Sequence, residues 1–138
     1  MMSVKNLIIH ADGASRGNPG PAAIGVVIED DQGRVVARIS EAIGTTTNNR
    51  AEYLALIAGL REALKLGAES AELNMDSELI VRQLTGKYRV RNPALKPLFT
   101  EAFHLLKKFN SSSIQHIPRE HNRAADALCR QALRSAGN

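Results

Sequence analysis

Short apolar runs come first along the chain, and helically spaced apolar positions take over later. That order predicts the architecture. Residues 5–12, centred on Leu7, Ile8 and Ile9, read as a strand. "AAIGVVIED" (22–30) and "RVVARISEAI" (34–43) read as two more, joined through a hairpin turn at Asp31, Gln32 and Gly33. "TTTNN" then opens a helix that Thr47 or Asn48 can cap. Tyr53, Ile57, Leu60 and Leu64 recur in it at helical spacing, and Gly67 closes it. "AELNMD" (71–76) is a short strand, "SELIVRQL" a short helix and "GKYRVRNP" a loop. After Pro93, Leu95, Leu98, Phe99, Ala102, Leu106 and Phe109 line one face of a further helix. "SIQHIP" (113–118) is the last strand. Asn122 can cap a final helix carrying Ala125, Leu128, Cys129 and Ala132.

The order β-β-β-α-β-α-α-β-α implies a mixed sheet, antiparallel at one edge and parallel at the other, with helices on its faces. In such sheets ligands gather beyond the carboxyl ends of the parallel strands.

Charge and cysteine content narrow the class. The 138 residues suffice for one domain, and no stretch is long enough to span a membrane. A single cysteine, Cys129, rules out an internal disulfide and fits a reducing compartment, so a cytoplasmic protein is expected. Lys and Arg exceed Asp and Glu by 18 to 14, a balance that favours polyanions. Arg82, Lys87, Arg89, Arg91 and Lys96 fall in one stretch, as a nucleic-acid contact or a solvated basic face.

Four carboxylates stand at telling places. Asp12 ends the first strand, Asp76 ends the fourth, and Glu52 and Asp126 fall in the first turns of the first and last helices. Singly, Glu52 and Asp126 read as dipole and capping residues, and Asp12 as a turn residue. Together they would repel unless cations neutralise them, and oxygen-only ligands suit Mg²⁺. Paired metals roughly 4 Å apart activate a water and stabilise a leaving oxygen, which points to a phosphodiester substrate.

"DGASRGNPGPAAIG", "TTNNRAEYLAL", "MDSELIV" and "NRAADAL" resemble, in order, the four motif regions of type 1 ribonuclease H, and the resemblance spans essentially the whole chain. It implies an α/β, three-layer ribonuclease H-like fold: a five-stranded mixed sheet in the order 3-2-1-4-5 with helices on both faces. It implies one catalytic domain over 1–138, with no separate hybrid-binding domain. It makes Asp12, Glu52, Asp76 and Asp126 the ligands of two Mg²⁺ ions, with Mn²⁺ a usable substitute. The implied reaction is hydrolysis of the RNA strand of an RNA–DNA hybrid, leaving 5′-phosphate and 3′-hydroxyl ends. Gly13, Ala14, Ser15, Asn18, Asn48, Asn49 and Ser77 are the implied substrate contacts, and Thr47 with Asn92 resembles a pocket for a DNA-strand phosphate. A monomer without an obligatory protein partner is expected.

The chain also departs from the family pattern. It has no Trp and lacks the basic, tryptophan-bearing insertion of longer members, which implies either a weaker grip on the hybrid or one taken over by Lys87, Arg89 and Arg91, residues that otherwise serve solubility. Glu78 stands where the family often has Gln, and an acid there should repel phosphate or join the metal site. His121, five positions before Asp126, resembles a mobile histidine of the family that assists proton transfer or product release, and is otherwise a solvated loop residue. Two other classes stay open: a module of this fold that binds hybrid or duplex RNA without cutting, and a DNA-directed nuclease of the same superfold. A phospho-acceptor domain is disfavoured by the three opening strands.

Overall fold

The computed structural model describes residues 5–136. Three antiparallel strands open it: β1 (Asn6–Ser15), β2 (Gly20–Glu29) and β3 (Val35–Thr46). Then follow α1 (Asn48–Lys65), β4 (Ser70–Met75), α2 (Glu78–Leu84), α3 (Lys96–Leu106), β5 (Ser111–His116), a short 3-10 turn (Arg119–His121) and α4 (Arg123–Ala136). The strands form one sheet in the order β3-β2-β1-β4-β5, with β4 parallel to β1 and to β5. Both the mixed sheet and the expected strand order are present. The ends of the expected 1–138 domain, residues 1–4 and 137–138, lie outside the described residues.

The turns form as their residues dictate. Gly33 adopts φ +78° between β2 and β3, and the Asp30 carboxylate accepts from the Gln32 and Arg34 amides. Thr47 caps α1, its side chain accepting from the Arg50 amide. Beyond α1, Gly67 at φ +83° donates its amide to the Leu64 carbonyl.

Alternation along the strands sorts residues to two faces. Leu7, Ile9, Ala11, Val26 and Ile28 pack with Tyr53, Leu56 and Leu60 of α1 in the main core, which extends to α2 and α3. On the other face Ala23 packs with Cys129, Ala132 and Leu133 of α4. Gly25 permits this second layer, because a Cβ there would lie 2.1 Å from the Ala125 carbonyl oxygen. Among the described residues, no helix is long and apolar enough to cross a membrane.

Two sequence expectations need correction. The first strand does not end at Asp12. It continues to Ser15, because β2 pairs with it through Ser15↔Ala22. Gly13, Ala14 and Ser15 are therefore strand residues. Nor does Glu52 lie in the first turn of its helix. α1 starts at Asn48, its first turn holds no acid, and Glu52 is buried on the second turn.

Candidate active site

The parallel pairing of β1 with β4 ends at His10↔Asn74, while β1 runs on beside β2. Beyond that point the sheet splays, and a pocket of about 370 Å³ opens at the carboxyl ends of the parallel strands. Asp12, Gly13 and Ala14 of β1, Asn48 and Glu52 of α1, Asp76 after β4, Arg119 and Asp126 line it. All four carboxylates singled out from the sequence thus share one cavity.

Their environments differ. Asp12 and Glu52 are each only 9% exposed. Burial, the facing Asp76 and Asp126 carboxylates and Glu52 push Asp12 up from 3.8 to about 8. Burial, aided by Asp76 and opposed by a hydrogen bond with Ser77, pushes Glu52 up from 4.5 to about 7. The protons held at this end of the sheet belong to the interacting set rather than to one residue. Asp126 pairs with Arg130 one turn along α4, Oδ2 to Nε 3.0 Å.

Groups whose ionisation is suppressed by burial and by one another are groups that a cation would release. The donors are all carboxylate oxygens, which suits a hard divalent ion. Among the described residues no three His, Cys, Asp or Glu side chains stand close enough together to hold a metal ion by themselves. Mg²⁺ keeps waters and substrate oxygens among its ligands, so the four carboxylates of the pocket need supply only part of its shell.

The other sequence-derived residues fall into several groups. Asn48 Oδ1 accepts from the Ser15 amide at 3.3 Å, and the Asn48 amide donates to Asn18 Oδ1 at 2.9 Å, so Ser15, Asn18 and Asn48 form one network at the start of α1. Asn49 is half-buried in the first turn and does not line the pocket. Ser77 caps α2, accepting from the Ile80 amide. Asn92 Oδ1 accepts from the Ala94 amide, and the Arg50 guanidinium spans from Thr46 Oγ1 to the Ala94 carbonyl, tying the start of α1 to this segment.

Glu78 does not line the carboxylate pocket. It pairs with Arg82 at 2.6 Å, one helical turn on, and the Arg82 guanidinium also lies over the Tyr88 ring. His121 is also elsewhere. It is exposed in the 3-10 turn and lines a separate small cavity with His10, Val27, Glu29, Asn122 and Ala124.

Two site residues escaped the sequence reading. Arg119 is one of four arginines, with Arg123, Arg130 and Arg134, that make the C-terminal region basic; nothing local singles it out, yet it is the one cation among the residues lining the pocket. Asn122 read as a helix cap. Its main-chain carbonyl does accept from the Asp126 amide, but its side chain turns away from the helix to Ala11 and Asp76. The available signal was position, since both flank the last helix start within seven residues of Asp126.

Comparison with known proteins places this geometry. Residues 10–132 match a family model described as reverse transcriptase-like. The fold is similar to the crystal structure of RNase H1 from the archaeon Halobacterium salinarum, with a TM-score of 0.92 and 46% identity, covering 95% of this chain and 99% of that one. This chain belongs to the type 1 ribonuclease H family. A second ribonuclease H structure, LC11-RNase H1 in complex with RNA/DNA hybrid, has a TM-score of 0.89 at 44% identity, covering 96% of this chain and 99% of that one. In sequence the chain is 48% identical to Ribonuclease HI of Halobacterium salinarum over 93% of its own length and 65% of that protein's. It is 45% identical to the Bifunctional protein Rv2228c of Mycobacterium tuberculosis over 94% of its own length. It spans only 36% of the length of that mycobacterial relative.

Proposed function

We propose that this chain is a metal-dependent endoribonuclease domain that hydrolyses the RNA strand of RNA–DNA hybrids, leaving 5′-phosphate and 3′-hydroxyl ends. The observation that carries the reading is the convergence of Asp12, Glu52, Asp76 and Asp126 on one pocket at the splayed end of β1 and β4. The related LC11-RNase H1, in its complex with RNA/DNA hybrid, supports the substrate class.

In this reading the four carboxylates hold two divalent ions, Mg²⁺ or Mn²⁺. When bound, these supply an activated water and charge stabilisation at the leaving oxygen. The protein's own groups position the substrate. Gly13 and Ala14 offer a low strand surface beside Asp12, where a sugar–phosphate backbone can approach. Asn48 is held through its Oδ1 by Ser15, which leaves its Nδ2 donors to sugar and base edges in the shallow minor groove. Arg119 points charge at the phosphate from the same pocket. Thr47 and Asn92, whose segments the Arg50 guanidinium ties together through Thr46 and Ala94, take a DNA-strand phosphate. Lys87, Arg89 and Arg91 in the exposed loop after α2 add sequence-independent attraction. A monomer in a reducing cytoplasm fits the single free cysteine, buried where α4 packs on β2.

The test is cleavage of an end-labelled RNA–DNA hybrid in Mg²⁺, alongside single-stranded RNA, duplex RNA and duplex DNA, with Asp76→Asn and EDTA as controls. Selective cutting of the hybrid's RNA strand, lost in both controls, establishes the activity. Tight hybrid binding without cutting makes the chain a binding module. Cutting of duplex DNA instead makes it a DNA-directed nuclease.

A further inference from the structure

Asn122 makes a connection that no carboxylate makes. Its side chain is fully buried, at 0% exposure, although it stands in a loop between two polar, exposed neighbours. Its Nδ2 donates to the Ala11 carbonyl at 3.0 Å and lies 3.4 Å from Asp76 Oδ1. Its own carbonyl accepts from the Asp126 amide at 3.0 Å. One residue therefore touches the backbone next to Asp12, the side chain of Asp76 and the backbone of Asp126.

The sheet explains why an amide is needed there. β1 and β4 pair as far as His10↔Asn74 and then separate. The Ala11 carbonyl is the first acceptor past the end of that ladder, and a buried carbonyl requires a donor. Asn122 supplies it. An amide nitrogen carries two hydrogens, so one can serve Ala11 while the other is directed at Asp76. A hydroxyl carries one hydrogen, and an apolar side chain carries none.

We propose that Asn122 is a positioning residue for the metal-binding carboxylates. It replaces the missing strand pairing with a side-chain bridge, and so sets the separation of Asp12, Asp76 and Asp126. The N–H directed at Asp76 Oδ1 leaves the remaining lone pairs of that carboxylate for a cation. This proposal rests on the assignment of these carboxylates as metal ligands, but not on the identity of the nucleic acid that is cut.

Two experiments test it, and neither depends on turnover alone. In the unaltered protein, the Asn122 side-chain amide is followed by nitrogen-15 NMR during a Mg²⁺ titration without nucleic acid. The Gln83 amide, buried on the Tyr53 hydroxyl at 2.6 Å away from the pocket, is the internal reference. The Asn122 signal should shift with saturation while Gln83 stays in place. An Asn122 signal that does not move through Mg²⁺ saturation overturns the proposal.

In the second experiment, Asn122→Leu and Asn122→Ala are compared with Tyr53→Phe, which breaks a buried hydrogen bond of purely structural kind. Mn²⁺ affinity is read by electron paramagnetic resonance, and kcat and KM are read on a hybrid. The Asn122 variants should bind Mn²⁺ about tenfold more weakly and lose about tenfold in kcat with little change in KM. Tyr53→Phe should lower the Tm and leave Mn²⁺ affinity as it was. Folded Asn122 variants with Mn²⁺ affinity within about twofold of the parent refute a positioning role. Normal Mn²⁺ and NMR responses in a protein that cuts no hybrid would sink the proposed activity and leave this inference standing.

Discussion

Gly13 of β1 lies directly under Ala51 of α1: a Cβ built on Gly13 would fall 2.2 Å from the Ala51 carbonyl oxygen and 2.6 Å from the Glu52 amide nitrogen. The residues next to this contact are Asp12 and Glu52. Close approach of helix to strand is therefore what carries the α1 carboxylate to the β1 carboxylate. Gly13→Ala would have to push α1 off the sheet. It should cost about 3 kcal/mol of stability, read by urea denaturation, and should lower hybrid cleavage even under conditions where the variant is folded. A variant with unchanged stability and activity would mean that the helix moves without consequence.

The raised carboxylates predict how stability depends on pH. Asp12 is pushed up to about 8 and Glu52 to about 7. In EDTA the folded protein then holds protons that the unfolded chain releases as the pH rises past about 4. Their contribution is complete below that pH and is lost progressively up to about pH 8. The Tm in EDTA should accordingly fall between pH 5 and pH 8. Asp12→Asn should flatten the fall and raise the Tm at pH 8 by about 5 °C. Added Mg²⁺ should stabilise the parent more at pH 8 than at pH 6, because it binds the ionised form. A Tm in EDTA that rises over this interval would contradict the burial argument. The same Asp12→Asn protein should have lost nearly all Mg²⁺-dependent cleavage.

Arg119 is the cation facing a pocket otherwise lined by acids and neutral groups. Arg119→Ala should reduce kcat on a hybrid by about tenfold, and Arg119→Lys should recover part of it, because lysine keeps the charge but not the fork of donors. Steady-state kinetics at fixed ionic strength decide the point. Equal loss in both variants would show that geometry matters and charge does not.

His121 faces the cavity it shares with His10, Glu29 and Asn122 rather than the carboxylate pocket. His121→Ala should therefore leave kcat within about twofold and the pH–rate profile unchanged. A tenfold drop with an altered profile would bring this imidazole into the reaction after all.

Glu78 shows where local reading stops. As a lone acid near a phosphate-binding surface it suggested repulsion. Arg82, four residues on, already pairs with it at the protein surface. That (i, i+4) spacing was visible in the chain, but whether the two side chains meet depends on the helix register that α2 adopts.

Much of the architecture was legible beforehand. Apolar periods of two and of about 3.6 residues marked the strands and helices, and the opening run of three strands required a mixed sheet. Thr47, Gly33 and Gly67 announced their caps and turns because their roles depend on a few neighbouring residues. Order and spacing also brought out Asp12, Glu52, Asp76 and Asp126. What local pattern could not supply was the meeting of groups distant along the chain. Taken singly, Glu52 looked like a dipole and capping acid in a first helical turn until Gly13 let α1 down onto β1. Asp12 looked like a strand end until β2 extended the ladder to Ser15. Asn122 looked like a cap, yet it spends its side chain on Ala11, 111 residues away. The sequence by itself determined the elements and their order, since these follow from short-range periodicity and backbone preference. Only the tertiary structure decided which carboxylates are buried, which cation faces them and which amide closes the gap between β1 and β4, because burial and the demand of a buried backbone carbonyl for a donor act across the whole fold.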